Sequence, residues 1–194
     1  MEHRKLGRSG LSVSALCLGM MSYGSPRWQP GVLEDRECRR FVRQALDAGI
    51  NFFDTADFYS LGASEQALGQ AISDLCRRQD VVISTKVGLP MDQSPNGRGL
   101  SRKHILESVD ASLKRLGTYY IDHYKLHVAD SLTPVEETVD ALTDLVRAGK
   151  IYPSLRENPK SRIAPISAFR PFRRIRFSGF RVNRVYSISG RRIS

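Results

Sequence analysis

The 194-residue chain is long enough for one domain with a sizeable core. Its formal charge of +10 suggests a nucleic-acid or membrane partner, yet residues 1–151 hold 19 basic and 19 acidic side chains, and the excess lies in residues 152–194, with 11 basic side chains and one acid, Glu157. The body is thus neutral and gives no hint of an anionic partner, and no apolar run nears the roughly 18 residues of a membrane span.

The segment "HRKLGRSGLSVSAL" places a turn cluster, Gly7 to Gly10, between two short runs and predicts a β-hairpin. "ALCLGM" follows as a buried strand. Residues 34–48 put Cys38, Phe41, Val42, Ala45 and Leu46 on one helical face, with Gly49 as the stop. "INFFDTA" is a strand, residues 64–78 a helix with an Ala67, Leu68, Ala71, Ile72, Leu75 stripe, and "DVVISTKVG" a β-branched strand. Residues 101–116 form the next helix, capped by Ser101 and stopped by Gly117, and "YIDHYKLH" is a strand. In "TPVEETVDALTDLVRAG" Thr133 is expected to cap, Pro134 to sit at the first helical position and Glu136 to close a capping box. Gly149 ends that helix, and "KI" begins a fifth strand.

A hairpin followed by four strand–helix units implies parallel pairing with right-handed crossovers. No GxGxxG follows the first strand, which disfavours a dinucleotide-binding doubly wound sheet. The pattern is that of an α/β fold of the (β/α)₈ TIM-barrel type, truncated to about its first four βα units, since a full barrel needs about 250 residues. The three cysteines, Cys17, Cys38 and Cys76, have no CxxC pairing and suit a reducing compartment better than zinc or a disulfide framework. The charged "MEHRKLGRSG" has no apolar signal region, so a soluble, cytoplasmic protein is expected.

In such a barrel the chemistry sits at the C-terminal ends of strands. The second barrel strand ends at Asp54, with Tyr59 in its loop; the third ends at Lys86 and the fourth at His127. A tyrosine with a pKa near 10 is a poor proton donor at neutral pH, but a nearby ammonium lowers that pKa. Lys86 can supply the charge, Asp54 can hold Lys86, and His127 can hydrogen-bond to a carbonyl oxygen that Tyr59 protonates. Each residue alone has a plainer reading as turn, packing or surface. Together, however, all four fall at corresponding ends of consecutive units. His3, His104 and His123 lack that placement and read as surface or packing residues.

These segments resemble the aldo-keto reductase family. "GINFFDTADFYSLGASEQALGQAI" is similar to its second-strand signature, "VVISTKVG" to its lysine strand, "SLKRLGTYYIDHYKLH" to its fourth-strand segment and "RKLGRSGLSVSALCLGMMSYG" to its opening. The resemblance covers residues 1–151 and is nearest to bacterial reductases related to the potassium-channel β-subunit branch. It implies Asp54, Tyr59, Lys86 and His127 as the catalytic set, NADPH as cofactor with Gly19, Met20, Met21 and Asp54 beside it, a small-molecule aldehyde or ketone as substrate, and no metal. The chain departs from the family pattern at Tyr119, His123 and Val128.

Family-like sequence stops after Ile151. Residues 152–194 hold ten Arg, seven Ser and one Leu, with neither helical nor strand periodicity. Four readings stand: an out-of-frame tail on a broken reading frame, a basic arm for nucleic acid, a half-barrel interaction module, and a diverged enzyme whose tail completes its site. The first is preferred, because a basic arm normally joins at a domain edge rather than within a strand. On that reading residues 1–151 are the N-terminal half of a barrel and 152–194 an irregular tail. The chain alone is then expected to be poorly soluble and inactive.

Overall fold

A computed structural model describes residues 1–152 and the short strand Val185–Ser187. Strands β1 (His3–Lys5) and β2 (Ser12–Ser14) form the antiparallel hairpin, with His3 opposite Ser14 and the Leu6 amide donating to the Leu11 carbonyl at 2.9 Å. Then follow β3 (Leu16–Gly19), α1 (Asp35–Asp47), β4 (Phe52–Asp54), α2 (Ala63–Leu75), β5 (Val82–Val87), α3 (Arg102–Leu116), β6 (His123–Leu126) and α4 (Val135–Arg147). The last described strand is β7 (Val185–Ser187).

The sheet runs in the order β6-β5-β4-β3-β7. The first four strands are mutually parallel, and each neighbour in the sheet is the neighbour in the chain. That is the (β/α)₄ portion of a TIM barrel preceded by a hairpin. Ile121 and Ile151 form a single parallel bridge beyond β6, where the fifth strand is expected. The outer edge of β3 does not stay open among the described residues: β7 pairs with it antiparallel, Tyr186 opposite Cys17. This strand lies within the 152–194 segment expected to be an irregular tail. The expectations placed on residues 153–184 and 188–194 lie outside the described residues.

Strand periodicity decides what each face does. Phe53, Ile83, Val87 and Tyr124 join the cluster that packs on the helices, with Val42 of α1, Leu68 of α2, Ile105 of α3 and Leu145 of α4. The alternate residues at the starts of the strands, Cys17, Phe52 and Val82, form a second cluster with Val13 of the hairpin. The hairpin thus covers the N-terminal end of the interior. Further along the same face the residues turn polar.

Two helix ends show how local rules fared. Ser101 caps α3 as expected, its hydroxyl accepting from the His104 amide at 3.3 Å, and Gly117 follows at φ 63°. The capping box at α4 does not form. Pro134 occupies the cap position, and the Thr133 hydroxyl instead donates to Asp130 Oδ2 at 2.7 Å. Asp130 also accepts from the Leu100 amide (2.8 Å) and the Leu132 amide (2.9 Å), so it outcompetes the helix end for Thr133.

Candidate active site

Asp54, Lys86 and Lys125 stand on adjacent strands, and the ladder fixes their spacing. Asp54 is in register with Ser84, and Lys86 with Lys125. Lys86 Nζ donates to Asp54 Oδ2 at 2.8 Å, to the Thr55 carbonyl at 2.7 Å and to Tyr59 Oη at 3.1 Å. The same ammonium lies 4.6 Å from the Tyr59 ring centroid. His127 meets Tyr59 edge to face, with ring centroids 5.7 Å apart. The backbone ties its position to the neighbouring strand, since the His127 amide donates to the Val87 carbonyl at 2.8 Å. All four predicted residues therefore converge.

Tyr59 reaches this point because its loop is tightly turned. The Tyr59 amide donates to the Ala56 carbonyl (3.3 Å) and the Leu61 amide to the Phe58 carbonyl (3.0 Å). Ser60 and Leu61 follow in the left-handed region, at φ 52° and 49°. Side chains rarely adopt that conformation without surrounding structure to enforce it. Ser60 is held by accepting from the Ser25 amide at 3.3 Å. Strain directly after the proton-donor candidate is a common mark of a site whose geometry matters.

Burial drives up the pKa of the Asp54 carboxyl, but the adjacent Lys125 and Lys86 outweigh it and hold the group below its ordinary value. Asp54 is thus an anion between Lys86 and Lys125, and its contact with Lys86 orients that side chain. Burial, aided by the Lys86 charge, lowers His127 to about 4, so its ring is neutral at neutral pH. Its Nδ1 is buried without a partner among the described residues. A neutral imidazole carries one N–H donor and one acceptor nitrogen, which suits a contact to a carbonyl oxygen.

Sequence reasoning missed Lys125, which ion-pairs with Asp54 Oδ1. The signal was present: His123, Lys125 and His127 alternate, so all three face the interior if one does. His123 reads as packing and is found so, half-buried with Nδ1 3.1 Å from Ser84 Oγ. Also missed were Asp57, fully buried beside Tyr59, and the pair of buried Glu65 with half-buried Arg115 at 2.6 Å. Of the nucleotide-side residues, Gly19 lies in register with Asp54, and the Met20 amide donates to the Asp54 carbonyl at 2.8 Å. The Met20 side chain is fully buried in the core, whereas Met21 is half-buried. Among the described residues no group of three or more His, Cys, Asp or Glu is placed to hold a metal, and no helix is long and apolar enough to cross a membrane.

The family model for the aldo/keto reductase family matches residues 15–153. The chain belongs to the aldo/keto reductase family. This aldo/keto reductase is 45% identical over 168 residues to versiconal hemiacetal acetate reductase of Aspergillus parasiticus, covering 77% of this chain and 49% of that protein. A putative voltage-gated potassium channel subunit beta of Schizosaccharomyces pombe is 47% identical over 152 residues, covering 77% and 43%. The potassium-channel β-like branch is thus among its relatives. An aldo-keto reductase of Bacillus halodurans, solved in its holo form, superposes with a TM-score of 0.68 at 40% identity, covering 78% of this chain and 48% of that one. The chain spans about half the length of the relatives it matches.

Proposed function

We propose that this site performs the proton transfer of an NADPH-linked interconversion of a carbonyl and an alcohol, with an aldehyde or ketone as the small-molecule substrate. The observation that carries the reading is Lys86 Nζ within hydrogen-bond distance of Asp54, the Thr55 carbonyl and Tyr59 Oη together. An ammonium at 3.1 Å favours the phenolate that Tyr59 becomes when it gives up its proton. In reduction, Tyr59 donates that proton to the carbonyl oxygen as the carbon is reduced. Asp54 keeps Lys86 in place, and the neutral His127 hydrogen-bonds to the same oxygen and orients it. In oxidation the Tyr59 phenolate takes the proton back.

The residues at the end of β3 fit the reactive end of a nicotinamide cofactor. Gly19 lies in register with Asp54 and so brings β3 beside the ammonium–carboxylate pair, with Met21 half-buried just beyond it. Gly19 and Met21 would flank the nicotinamide end beside Asp54, whereas Met20, expected there too, has its side chain in the core and its backbone bonded to Asp54 and Ser64. NADPH, when bound, supplies the hydride.

The chain alone is expected to show no turnover, whereas a chimera in which residues 15–152 replace the matching segment of the Bacillus subtilis relative YhdN, 38% identical, is expected to reduce carbonyl compounds. Tyr59→Phe in the chimera should lower kcat by about 10²–10⁴-fold, the usual worth of a positioned acid. A Tyr59→Phe chimera as active as its parent would overturn the assignment.

A further inference from the structure

Behind the Tyr59 loop lies a second group of polar side chains that the reaction does not use. Asp57 is fully buried. Its Oδ1 accepts from the adjacent Phe58 amide at 2.6 Å, and its own amide donates to the Lys86 carbonyl at 3.3 Å. Its Oδ2 has no partner among the described residues. The hydroxyl of Tyr124, on β6, is also buried and has no partner among the described residues.

The nearby groups cannot easily satisfy either atom. Glu65 already accepts from Thr85 Oγ1 and from Arg115 Nε, both at 2.6 Å. Arg115 also donates to Ser112 Oγ at 3.2 Å. Both orphans border the Glu65–Arg115 pair: Tyr124 is in register with Thr85, which donates to Glu65, and Asp57 lines a cavity with Arg115. A cavity of about 340 Å³, lined by Asp57, Arg115, His104, Lys103 and Glu107, gives solvent a path to Asp57. Leaving a buried polar atom unpaired costs about 1–3 kcal/mol, and buried waters typically resolve such pairs with two to four hydrogen bonds.

We propose that Asp57 Oδ2 and Tyr124 Oη jointly hold an internal water, and that this water anchors the segment carrying Tyr59 to β6. Asp57 is then a positioning residue. The proposal rests on the reading of Tyr59 as proton donor for its catalytic consequence, but its geometry stands apart from that reading. Burial drives the Asp57 carboxyl up to about 7, with the Glu65 charge adding to the shift and the Phe58 amide, Arg115 and Lys86 opposing it. Near neutral pH the group can therefore donate to the water as well as accept from it.

The experiment is amide hydrogen exchange on the full chain, with no substrate or cofactor. Tyr124→Phe removes one hydroxyl from β6 and nothing from the loop. It is expected to speed exchange of the Tyr59 and Leu61 amides by up to about tenfold, with Ile83 and Val87 of β5 unchanged. Adding Asp57→Leu to Tyr124→Phe should give no more than the larger single effect. Unchanged loop exchange in Tyr124→Phe, or a rise shared equally by β5, overturns the proposal. The titration of the Asp57 side-chain carboxyl, followed by carbon NMR, is the second readout. Its midpoint is expected to move in Tyr124→Phe, and an identical midpoint overturns the proposal even where exchange is too fast to read. Because both readings are taken without turnover, failure of the Tyr59 assignment would leave them intact.

Discussion

His123, His127 and Asp57 pull the pH dependence of stability in opposite directions. Burial lowers both histidines to about 4, below the ordinary value of 6.5. The stability they contribute is fully present above pH 6.5 and is lost as pH falls toward 4. Asp57 is raised from 3.8 to about 7, so its burial costs nothing at low pH and progressively more as pH rises between those values. The two effects partly cancel between pH 4 and 6.5. Asp57→Asn removes the opposing one. Its urea midpoint should therefore rise more steeply with pH across that window than that of the parent chain; parallel curves would contradict the burial of Asp57 as a titrating acid. Asp54 needs no such test to be read, because its position at a strand end before a loop tyrosine was legible from sequence. Lys125 was not, since reading only the strand ends passes over the residue two places earlier on the same face.

The order and type of the elements follow from the apolar periodicity, and each named helix lies within a few residues of its expected span. What periodicity does not report is close approach. Gly69 on α2 faces α3 so tightly that a Cβ there would lie 2.5 Å from the Leu116 carbonyl oxygen. Gly69→Ala should destabilise the chain by about 1–3 kcal/mol through overpacking, read as a lowered denaturant midpoint at unchanged slope. An unchanged midpoint would mean that the two helices separate freely. The α4 entry was misread for a related reason. A capping motif is a local pattern, and Asp130, three residues upstream of Thr133, offered its hydroxyl a better acceptor. The pair of Glu65 and Arg115, joining the same two helices, was likewise invisible, because partners fifty positions apart leave no local signature.

The whole chain holds a half-barrel whose strand ends bring Asp54, Tyr59, Lys86 and His127 together, and its length is about half that of its relatives. The neutral body and the basic remainder were separable from composition alone. The pairing of β7 with β3 was not, because residues 185–187 lie in a stretch without periodicity. Leu132, Val135 and Val139, at the start of α4, are exposed, Leu132 almost completely. Apolar side chains left open in this way favour association of the chain expressed alone. Catalysis is thus best tested where the remaining barrel is supplied, in the chimera. The central claim is that the Lys86 charge acts on the Tyr59 proton rather than on substrate binding. The direct measurement is the separate effect of Lys86→Met on kcat and KM for carbonyl reduction by that chimera. The expected result is a fall in kcat of about a hundredfold or more with KM nearly unchanged. A raised KM at parental kcat would contradict the account.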